Sequence, residues 1–221
     1  MDIWRIDWRS NGSWSAAQVL DSTVNSVHNE KTPFIHYDNQ TLYYTSDRPE
    51  GYGASDLYLS RKKQGEWQAA KNLRWPINTA AAEGTIYVAL DGRTGYMGRR
   101  ERPGMDYDIY TFELDTSVAS QRTTYVKGQV IDAETRSGVS AQVMVYDGGG
   151  NRQIANIQTD TAGRFLAPLP VDGNYQLFAE APGYTFQSER YRYEELQARS
   201  PETPWLVELQ PVSGASTTQR K

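Results

Sequence analysis

The side chains that most often do chemistry in proteins are scarce in this sequence or lack the spacing that chemistry needs. The chain has 221 residues, no cysteine and two histidines, His28 and His36. The absence of cysteine excludes disulfides, thiolate metal sites and cysteine nucleophiles. Serine and aspartate are plentiful, but no Gly-x-Ser-x-Gly nucleophile elbow occurs. We therefore interpret both histidines as packed or solvated residues and predict a protein that is not an enzyme, with no catalytic residues.

Metal and phosphate sites have equally weak support. Thiolates are absent, and neither histidine has a partner at the spacing of helical zinc ligands. The carboxylates that could cluster around calcium are Asp106 with Asp108, and Asp47 with Glu50 and Asp56. No Asp-x-Asp-x-Asp-Gly loop is present, so we interpret them as turn residues that accept backbone N–H groups. No Gly-x-x-x-x-Gly-Lys loop occurs either, and we predict no metal and no cofactor.

Aromatic side chains are the remaining candidates for recognition. The sequence has 15 tyrosines, 6 tryptophans and 5 phenylalanines, which could stack on sugar rings or anchor a protein partner. Four of them are predicted to make exposed binding contacts: Trp8, Tyr52, Trp75 and Tyr184. Trp14 and Trp67 stand 53 positions apart, each two residues after a glycine. We therefore predict that this pair packs within sheets.

Composition limits the class of protein further. The net charge is −4 with 23% charged residues, so no bulk basicity indicates nucleic acid or anionic lipid as a partner. The basic cluster at residues 99–102 is interpreted as a solvated loop, with an anionic partner surface as the alternative. No run approaches the about 18 apolar residues of a membrane-spanning helix. No signal peptide begins the chain, which predicts either a cytoplasmic protein or an internal piece of a longer exported one.

The elements that must position these residues follow an internal repeat over the first 115 residues. Several residue types return 53 positions later: Asn25 as Asn78, Glu30 as Glu83, Asp38 as Asp91 and Tyr43 as Tyr96. An Asp-apolar-aromatic triplet begins at Asp2, Asp56 and Asp108. One unit predicts four short strands, at residues 34–37, 42–46, 56–61 and around Trp67. Four short strands in a unit of this length are typical of a β-propeller blade.

Residues 37–48 (Tyr-Asp-Asn-Gln-Thr-Leu-Tyr-Tyr-Thr-Ser-Asp-Arg), followed by Asp-Leu-Tyr at 56–58, resemble the TolB-like propeller repeat. The second copy departs from it, with Gly95 in place of Leu42 and Arg99 in place of Ser46. The resemblance covers about residues 2–115 and implies about two blades. Propellers need about 4–8 blades to close, so we expect part of a longer protein. The alternative is a ring closed by several chains.

A second domain is predicted after a polar linker at residues 115–120. Residues 125–132 alternate apolar and polar types, as a half-buried strand does. Further strands are expected at residues 141–147, 153–159, 164–168, 174–180 and 204–210. Six or seven short strands with regular turn spacing indicate a small β-sandwich.

This second part resembles the carboxypeptidase regulatory-like domain, which is a prealbumin-like sandwich. The resemblance rests on residues 126–132 (Val-Lys-Gly-Gln-Val-Ile-Asp), 159–165 (Thr-Asp-Thr-Ala-Gly-Arg-Phe) and 181–184 (Ala-Pro-Gly-Tyr). It covers about residues 123–210. We expect Gly163 and Gly183 at turns that require positive φ, and Phe165 and Tyr175 in the core.

The predicted fold class is thus all-β: a partial β-propeller of four-stranded blades at residues 1–121, a prealbumin-like β-sandwich at 122–212, and a polar tail or linker at 213–221. Propeller repeats before such a domain resemble OmpA-family envelope proteins of the PorE-like type, which are associated with type IX secretion. The resemblance implies a non-enzymatic scaffold in the periplasm, associated with the outer membrane. Its partners would be envelope or secretion-system proteins, with peptidoglycan bound only through a flanking domain.

Two other functions are compatible with the sequence. A carbohydrate- or peptidoglycan-binding module would use exposed tryptophan and tyrosine side chains. The non-catalytic half of a propeller-bearing peptidase would require a hydrolase domain encoded beyond residue 221.

Overall fold

The computed structural model describes residues 1–7, 9, 12–150, 152–171, 173–192, 194–195 and 204–212. The chain divides into two compact units, Met1–Thr123 and Thr124–Lys221, called unit 1 and unit 2 below. Both units are built from β-strands, which confirms the all-β class. The predicted tail at residues 213–221 lies outside the described residues. No helix within the described ranges is long and apolar enough to cross a membrane.

Unit 1 consists of three antiparallel sheets. Its strands are β1 (Trp4–Arg5), β2 (Gln18–Val19), β3 (Glu30–Ile35), β4 (Thr41–Ser46), β5 (Asp56–Lys63), β6 (Glu66–Trp67), β7 (Lys71–Asn72), β8 (Ala82–Val88), β9 (Thr94–Arg100) and β10 (Asp108–Glu113). The first sheet pairs β1 with β2, the second has the order β3-β4-β5-β6 with β7 also on β5, and the third has the order β8-β9-β10. These sheets are not closed into a ring, and the propeller and TolB-like interpretations stay predictions.

A repeated aspartate stabilises the turns that join β3 to β4 and β8 to β9. Between β3 and β4, the carboxylate of Asp38 accepts the backbone N–H groups of Gln40 and Thr41 at 2.8 and 2.9 Å. Between β8 and β9, Asp91 accepts those of Arg93 and Thr94, both at 2.9 Å. Short polar side chains commonly stabilise turns in this way, so the same hairpin forms in both repeats.

The predicted first strand of the second sheet, at residues 34–37, is displaced in the structure to Glu30–Ile35. Proline rarely lies inside a strand because it cannot donate to the ladder, yet Pro33 lies within β3. A register shift between Lys31 and Phe34 accommodates it. The strand ends before His36, whose N–H donates to the carbonyl of Thr41 within the turn.

The core of unit 1 lies between successive sheets. Side chains of β4 and β5 alternate between the two sides of their sheet, and every residue of β4 is buried. On one side, Leu42, Tyr44 and Tyr58 pack with Ile3 and Val24 of the first repeat. On the other side, the apolar cluster joins the second and third sheets through Tyr43, Leu57, Leu59, Ile86, Val88 and Met97.

Residues 115–120 are not the polar linker that composition predicts. Val118 is buried in the second cluster, and its carbonyl accepts the hydroxyl of Tyr43 at 2.7 Å. The Oγ of Ser120 lies 2.8 Å from the same hydroxyl. Val118 and these contacts with Tyr43 hold the segment on unit 1, although its overall composition is polar.

Unit 2 is a two-sheet sandwich, as predicted. Its strands are β11 (Thr123–Asp132), β12 (Gln142–Asp147), β13 (Gln153–Gln158), β14 (Arg164–Pro170), β15 (Asn174–Glu180), β16 (Gln187–Arg192) and β17 (Trp205–Leu209). One sheet has the order β14-β11-β17, with β11 and β17 parallel, and the other has the order β13-β12-β15-β16. Phe165 and Tyr175 are buried in the core between them, as predicted.

Three glycines of unit 2 show why the sequence folds this way locally. Gly163 has a φ of +74°, a conformation that favours glycine, and Gly183 likewise has the expected positive φ. Gly128 in β11 lies against the ring of Phe165, which an added Cβ would overlap. The small residue therefore lets a large ring fill the core beside the parallel strand pair.

Candidate interaction surface

The residues considered for catalysis are packed or paired in unit 1. His36 is buried, with its Nε2 3.0 Å from the carbonyl oxygen of Ala89 and its Nδ1 accepting the N–H of Asp38 at 3.1 Å. The backbone N–H of His28 donates to the hydroxyl of Ser26. Neither ring is aligned with a serine nucleophile by any of these contacts.

Two of the carboxylates considered for calcium, Asp47 and Asp56, accept protein N–H groups. Asp47 binds the backbone and side-chain N–H groups of Asn29 at 2.8 and 2.7 Å. Asp56 accepts the backbone N–H groups of Tyr52 and Gly53 at 2.6 and 3.0 Å. In the part of the chain that the structure describes, no three His, Cys, Asp or Glu side chains are grouped as a metal site would require.

An asparagine closes the second repeat onto its own strand β5. The Oδ1 of Asn78 accepts the N–H of Leu57 at 2.8 Å, and its Nδ2 donates to the carbonyl of Leu57 at 2.8 Å. The backbone N–H of Leu73 donates to the same carbonyl at 3.0 Å. Both outward backbone groups of Leu57 are thereby satisfied by the segment that contains β7.

The first repeat contains the same arrangement. The side chain of Asn25 accepts the N–H of Ile3 at 2.8 Å and donates to its carbonyl at 3.0 Å. The N–H of Leu20 donates to that carbonyl at 3.0 Å. We call this arrangement the asparagine clip; it joins Asn25 to Ile3 and Asn78 to Leu57.

The third repeat has the strand but no clip. Ile109 pairs in register with Gly98 of β9, as Leu57 pairs with Thr45 of β4. After β10 the chain turns into the packed segment 115–120, and no asparagine among the described residues bonds to Ile109. Ile109 is 84% exposed, whereas Leu57 is fully buried. The outer edge of β10 is therefore open.

One face of the third sheet is uncovered beside this edge. Tyr96, Ile109 and Thr111 occupy the register positions of Tyr43, Leu57 and Leu59 in the second sheet. The second-sheet residues are buried between sheets, whereas the third-sheet residues are exposed. We call Tyr96, Ile109 and Thr111 the open face.

The opposite face of the third repeat contains a buried ion pair. The Nε of Arg99 lies 3.1 Å from Oε1 of Glu83, and its guanidinium lies 4.8 Å over the ring of Tyr110. Another guanidinium nitrogen donates to the carbonyl of Ile77 at 2.7 Å. The side chain of Arg99 is only 11% exposed, so the predicted solvated loop is wrong for this residue.

The second sheet has the same cluster, built from a different position. Arg48 lies 3.2 Å from Glu30 and 5.1 Å over the ring of Tyr58. Ser46 pairs with Glu30 across the hairpin, as Arg99 pairs with Glu83. The arginine is thus supplied two residues later in one repeat than in the other, which is why Arg99 looked like a departure from the pattern.

The two glutamates differ in their remaining partners. Burial raises the pKa of Glu83, and hydrogen bonds from Thr79 and the charge of Arg99 offset only part of that effect. Its Oε2 has no hydrogen-bond partner among the described residues. Burial also acts to raise the pKa of Glu30, but hydrogen bonds from Ser26, Ser46 and Arg48 outweigh it and the pKa is lowered.

A cleft of about 510 Å³ lies between residues 71–77 and β10. Its apolar lining includes Leu73, Ile77, Met97 and Phe112, and its charged lining includes Lys71, Arg74, Arg99, Glu113 and Asp115. Trp75 lies at the cleft with 74% of its surface exposed. We call this the Trp75 cleft.

The predicted contact residues that the structure describes have different surroundings. Trp75 lines the cleft, and Tyr52 is 50% exposed but is not part of the lining. Trp8 lies outside the described residues. Tyr184 belongs to unit 2, where its half-buried side chain donates its hydroxyl to Asp132 at 2.8 Å. That hydrogen bond raises the pKa of Tyr184. The hydroxyl of Tyr184 therefore makes a contact within unit 2 rather than standing free on the surface.

The predicted packing of the repeated tryptophans is only partly correct. Trp67 is half-buried under the ammonium of Lys62, which lies 4.8 Å over its ring. Trp14 is 58% exposed, because the described first sheet has only two short strands to cover it. Sequence reasoning also missed Ile109, although its equivalence to Ile3 and Leu57 was visible in the repeated triplet.

Comparison with known proteins identifies one part of the chain. Residues 125–203 match the carboxypeptidase regulatory-like domain. No curated protein matches the chain. Among solved structures, the crystal structure of S.CueP is similar at 16% identity and a TM-score of 0.28, covering 55% of this chain and 76% of that one. The Bacillus anthracis TIE protein is similar at 11% identity and a TM-score of 0.30, covering 95% of this chain and 49% of its own length.

These two structural likenesses are too weak to carry an argument about fold or function. The TolB-like and OmpA-family resemblances stay predictions. The sandwich topology of unit 2 and the family match agree with each other, and residues 125–203 form a carboxypeptidase regulatory-like domain.

Proposed function

We propose that this chain is a non-enzymatic protein-interaction module, and that unit 1 docks its partner on the open face and open edge of the third repeat. One observation carries the proposal: Ile109 is 84% exposed although the equivalent Ile3 and Leu57 are buried. Burying one aliphatic side chain of this size contributes about 1.5–3 kcal/mol. A partner that covers Ile109 therefore gains a contact that the first two repeats already make internally.

The backbone of β10 supports the same proposal. An open strand edge presents unpaired N–H and C=O groups, which are a template for a strand from another chain. The neighbouring Tyr96 adds an aromatic ring to the open face. Aromatic residues are enriched in protein interfaces because they combine a large apolar area with a polar tip.

The setting that we propose is the periplasm near the outer membrane, within an OmpA-family protein that serves type IX secretion. Envelope or secretion-system proteins would be the partners. Support comes from the resemblance of the repeats and from the carboxypeptidase regulatory-like domain that follows them. Fractionation of the source cells, followed by detection of the native protein, tests this location.

Site-specific cross-linking tests the docking surface. A photoreactive residue is placed at Ile109 or at Thr111, and at Val27, which is 96% exposed, as a control in the same unit. We expect one protein to be cross-linked from Ile109 and Thr111 but not from Val27, and to be recovered again with purified components. An absence of cross-links at β10, or equal cross-linking from Val27, would contradict the proposal.

A second candidate function is carbohydrate binding at the Trp75 cleft. An exposed indole beside polar and charged groups is suited to stack on a sugar ring and bind its hydroxyls. Titration with soluble peptidoglycan fragments, followed by tryptophan fluorescence, tests it. Saturable quenching that is lost in Trp75→Ala would favour this function, and quenching that is absent or unchanged in the variant would exclude Trp75 as the site.

A further inference from the structure

We propose that the partner of the third repeat presents an extended segment of the pattern Leu-x-x-x-(Val/Ile)-Asn, which binds the open edge of β10 as an asparagine clip in trans. This inference rests on the proposed docking function and adds the chemistry of the ligand. The equivalent sites at Ile3 and Leu57 are already occupied by segments of the chain, so the first two repeats show the expected geometry.

The two internal segments define the pattern. Residues 18–25 read Gln-Val-Leu-Asp-Ser-Thr-Val-Asn, and residues 71–78 read Lys-Asn-Leu-Arg-Trp-Pro-Ile-Asn. They share only the leucine, the β-branched residue and the asparagine. Val24, Ile77 and both asparagines are buried, as is Leu73. The other positions differ in size and charge, so the three shared positions carry the recognition.

The acceptor on β10 has the matching register. Leu57 directs its N–H and C=O away from β4, toward Asn78 and Leu73. Ile109 of β10 occupies the same register position opposite β9, and backbone groups alternate in direction along an antiparallel strand. The N–H and C=O of Ile109 therefore point out of the sheet edge. An incoming asparagine can bind both, and the incoming leucine N–H can donate to the carbonyl.

Residues 1–221 contain no further copy of this segment. The pattern occurs only at residues 20–25 and 73–78 of the sequence. Residues 114–119 (Leu-Asp-Thr-Ser-Val-Ala) repeat the local turn, with Ala119 N–H bonded to the carbonyl of Asp115 at 2.8 Å, as Asn25 N–H is bonded to that of Asp21 at 2.9 Å. Alanine replaces the asparagine, however, and this segment is packed elsewhere in unit 1.

A second copy of the chain is also a poor donor. Both of its Leu-x-x-x-(Val/Ile)-Asn segments are already clipped to Ile3 and Leu57 of their own unit. To donate one, the copy would leave buried N–H and C=O groups without partners, which is costly. The occupant is therefore a different polypeptide segment with this pattern.

A labelled peptide tests the inference directly. The probe has the sequence of residues 66–79 (Glu-Trp-Gln-Ala-Ala-Lys-Asn-Leu-Arg-Trp-Pro-Ile-Asn-Thr), and the matched control carries the Asn78→Ala change. Both are titrated against the purified full chain by fluorescence anisotropy. We expect saturable binding of the probe and at least about tenfold weaker binding of the control, because two hydrogen bonds to Ile109 are lost.

A backbone variant locates the site. Ile109→Pro removes the outward N–H, and proline is tolerated on an edge strand, so probe binding should fall about tenfold while the melting temperature of unit 1 is kept. Hydrogen exchange on the unmodified chain gives a second readout that needs no variant. The probe should slow amide exchange in the peptide that spans residues 106–113, and the Asn78→Ala control should not.

Several outcomes would overturn the inference: no saturable binding, equal binding of the two peptides, or exchange protection outside residues 106–113. A dimer that dissociates in Ile109→Pro, without peptide binding, would overturn it in favour of self-association. Cross-links from Ile109 in cells without any peptide binding would leave the proposed docking function standing and remove only this ligand.

Discussion

Glu30 and Glu83 hold the same position of the repeat, yet they have different surroundings because one hairpin places a serine where the other places an arginine. Ser46 donates its hydroxyl to Glu30 at 2.9 Å. In the third sheet that register position is taken by Arg99, and Oε2 of Glu83 is left without a partner among the described residues. The hydroxyl of Ser46 therefore helps to lower the pKa of Glu30. Glu83 has no equivalent hydroxyl from its paired strand, and its pKa is raised.

The two glutamates should give opposite pH dependences. The lowered pKa of Glu30 stabilises unit 1 above the unfolded pKa, and this contribution is lost as the pH falls. The raised pKa of Glu83 has the opposite sign, so its favourable contribution is lost as the pH rises. Between about pH 4 and about pH 7, the stability advantage of the wild type should grow over Glu30→Gln and shrink over Glu83→Gln.

Urea unfolding followed by tryptophan fluorescence measures this difference. Five of the six tryptophans lie in unit 1, the exception being Trp205, so the signal reports mainly on that unit. Parallel pH profiles for the two glutamine variants would contradict the assignment.

Asp38 and Asp91 form a second matched pair. Asp38 is buried, and burial alone would raise its pKa, but the neighbouring His36, whose Nδ1 lies 3.5 Å from Oδ2 of Asp38, together with hydrogen bonds from Gln40 and Thr41, lowers it to about 2. Asp38→Asn should cost about 2 kcal/mol of unfolding free energy at neutral pH. That cost should vanish as the pH falls from the unfolded pKa toward about 2. Asp91→Asn, at an exposed turn, should cost less than about 1 kcal/mol.

Urea unfolding of both variants at neutral and acidic pH provides the test. Equal losses for the two variants, or a loss for Asp38→Asn that persists in acid, would disagree with the structure. The recurrence of the two aspartates was visible in the sequence. Their difference in burial was not visible there. Asp38 is covered by residues distant in sequence, such as Gln121, whose N–H donates to its carboxylate.

At the scale of the elements, the asparagine clip closes the first two repeats by a side chain rather than by a long strand. The strands β2 and β7 have two residues each, too few to hold a sheet edge alone. The clip supplies the missing backbone partners within a buried environment. Unpaired buried backbone groups are strongly unfavourable, so a single asparagine has a large effect on the element.

Asn78→Ala should therefore destabilise unit 1 by about 3 kcal/mol. The backbone N–H of Leu57 in β5 should then exchange faster than the backbone N–H groups of the paired strand β4. Asn156→Ala, which removes an exposed asparagine on β13, is the control and should leave the unfolding of unit 1 unchanged. Denaturant unfolding with amide exchange measures both effects, and a loss below about 1 kcal/mol would show that the clip is dispensable.

The strand pattern was predictable where apolar and polar residues alternate. β15 was predicted at residues 174–180 and lies at Asn174–Glu180. β16 was missed, since Gln187–Arg192 reads Gln-Ser-Glu-Arg-Tyr-Arg and offers almost no apolar signal. It is a strand because β15 provides the pairing edge, which is a tertiary cause.

At the scale of the whole molecule, the two units have separate apolar clusters. Unit 2 has a continuous core that includes Trp205 and Phe165, and it coincides with a recognised family domain. A fragment of residues 124–212 should therefore fold on its own. Limited proteolysis of the full chain should release a product of about this size.

Gly128→Val tests the basis of that stability. The added side chain would overlap the ring of Phe165, and overpacking of this kind costs about 1–3 kcal/mol. We expect the melting temperature of the 124–212 fragment to fall clearly and its protease resistance to be lost. Gly65→Ala in the full chain is the contrasting change: the φ of +90° at Gly65 disfavours alanine, but the residue lies in unit 1 and the change should leave the released fragment unaffected. A stable Gly128→Val fragment would contradict the described packing.

The sequence by itself determined the all-β class, the sandwich of unit 2, the positions of most hairpins and the repeat that relates Asn25 to Asn78. These features depend on the alternation of apolar and polar residues, on turn residues and on the internal repeat, all of which can be identified in the sequence. Only the tertiary structure decided that Arg99 is a buried partner of Glu83, that residues 115–120 are packed, and that Ile109 is exposed. Each of these depends on which side chains cover a position from a distant part of the chain, and burial of that kind has no local signature.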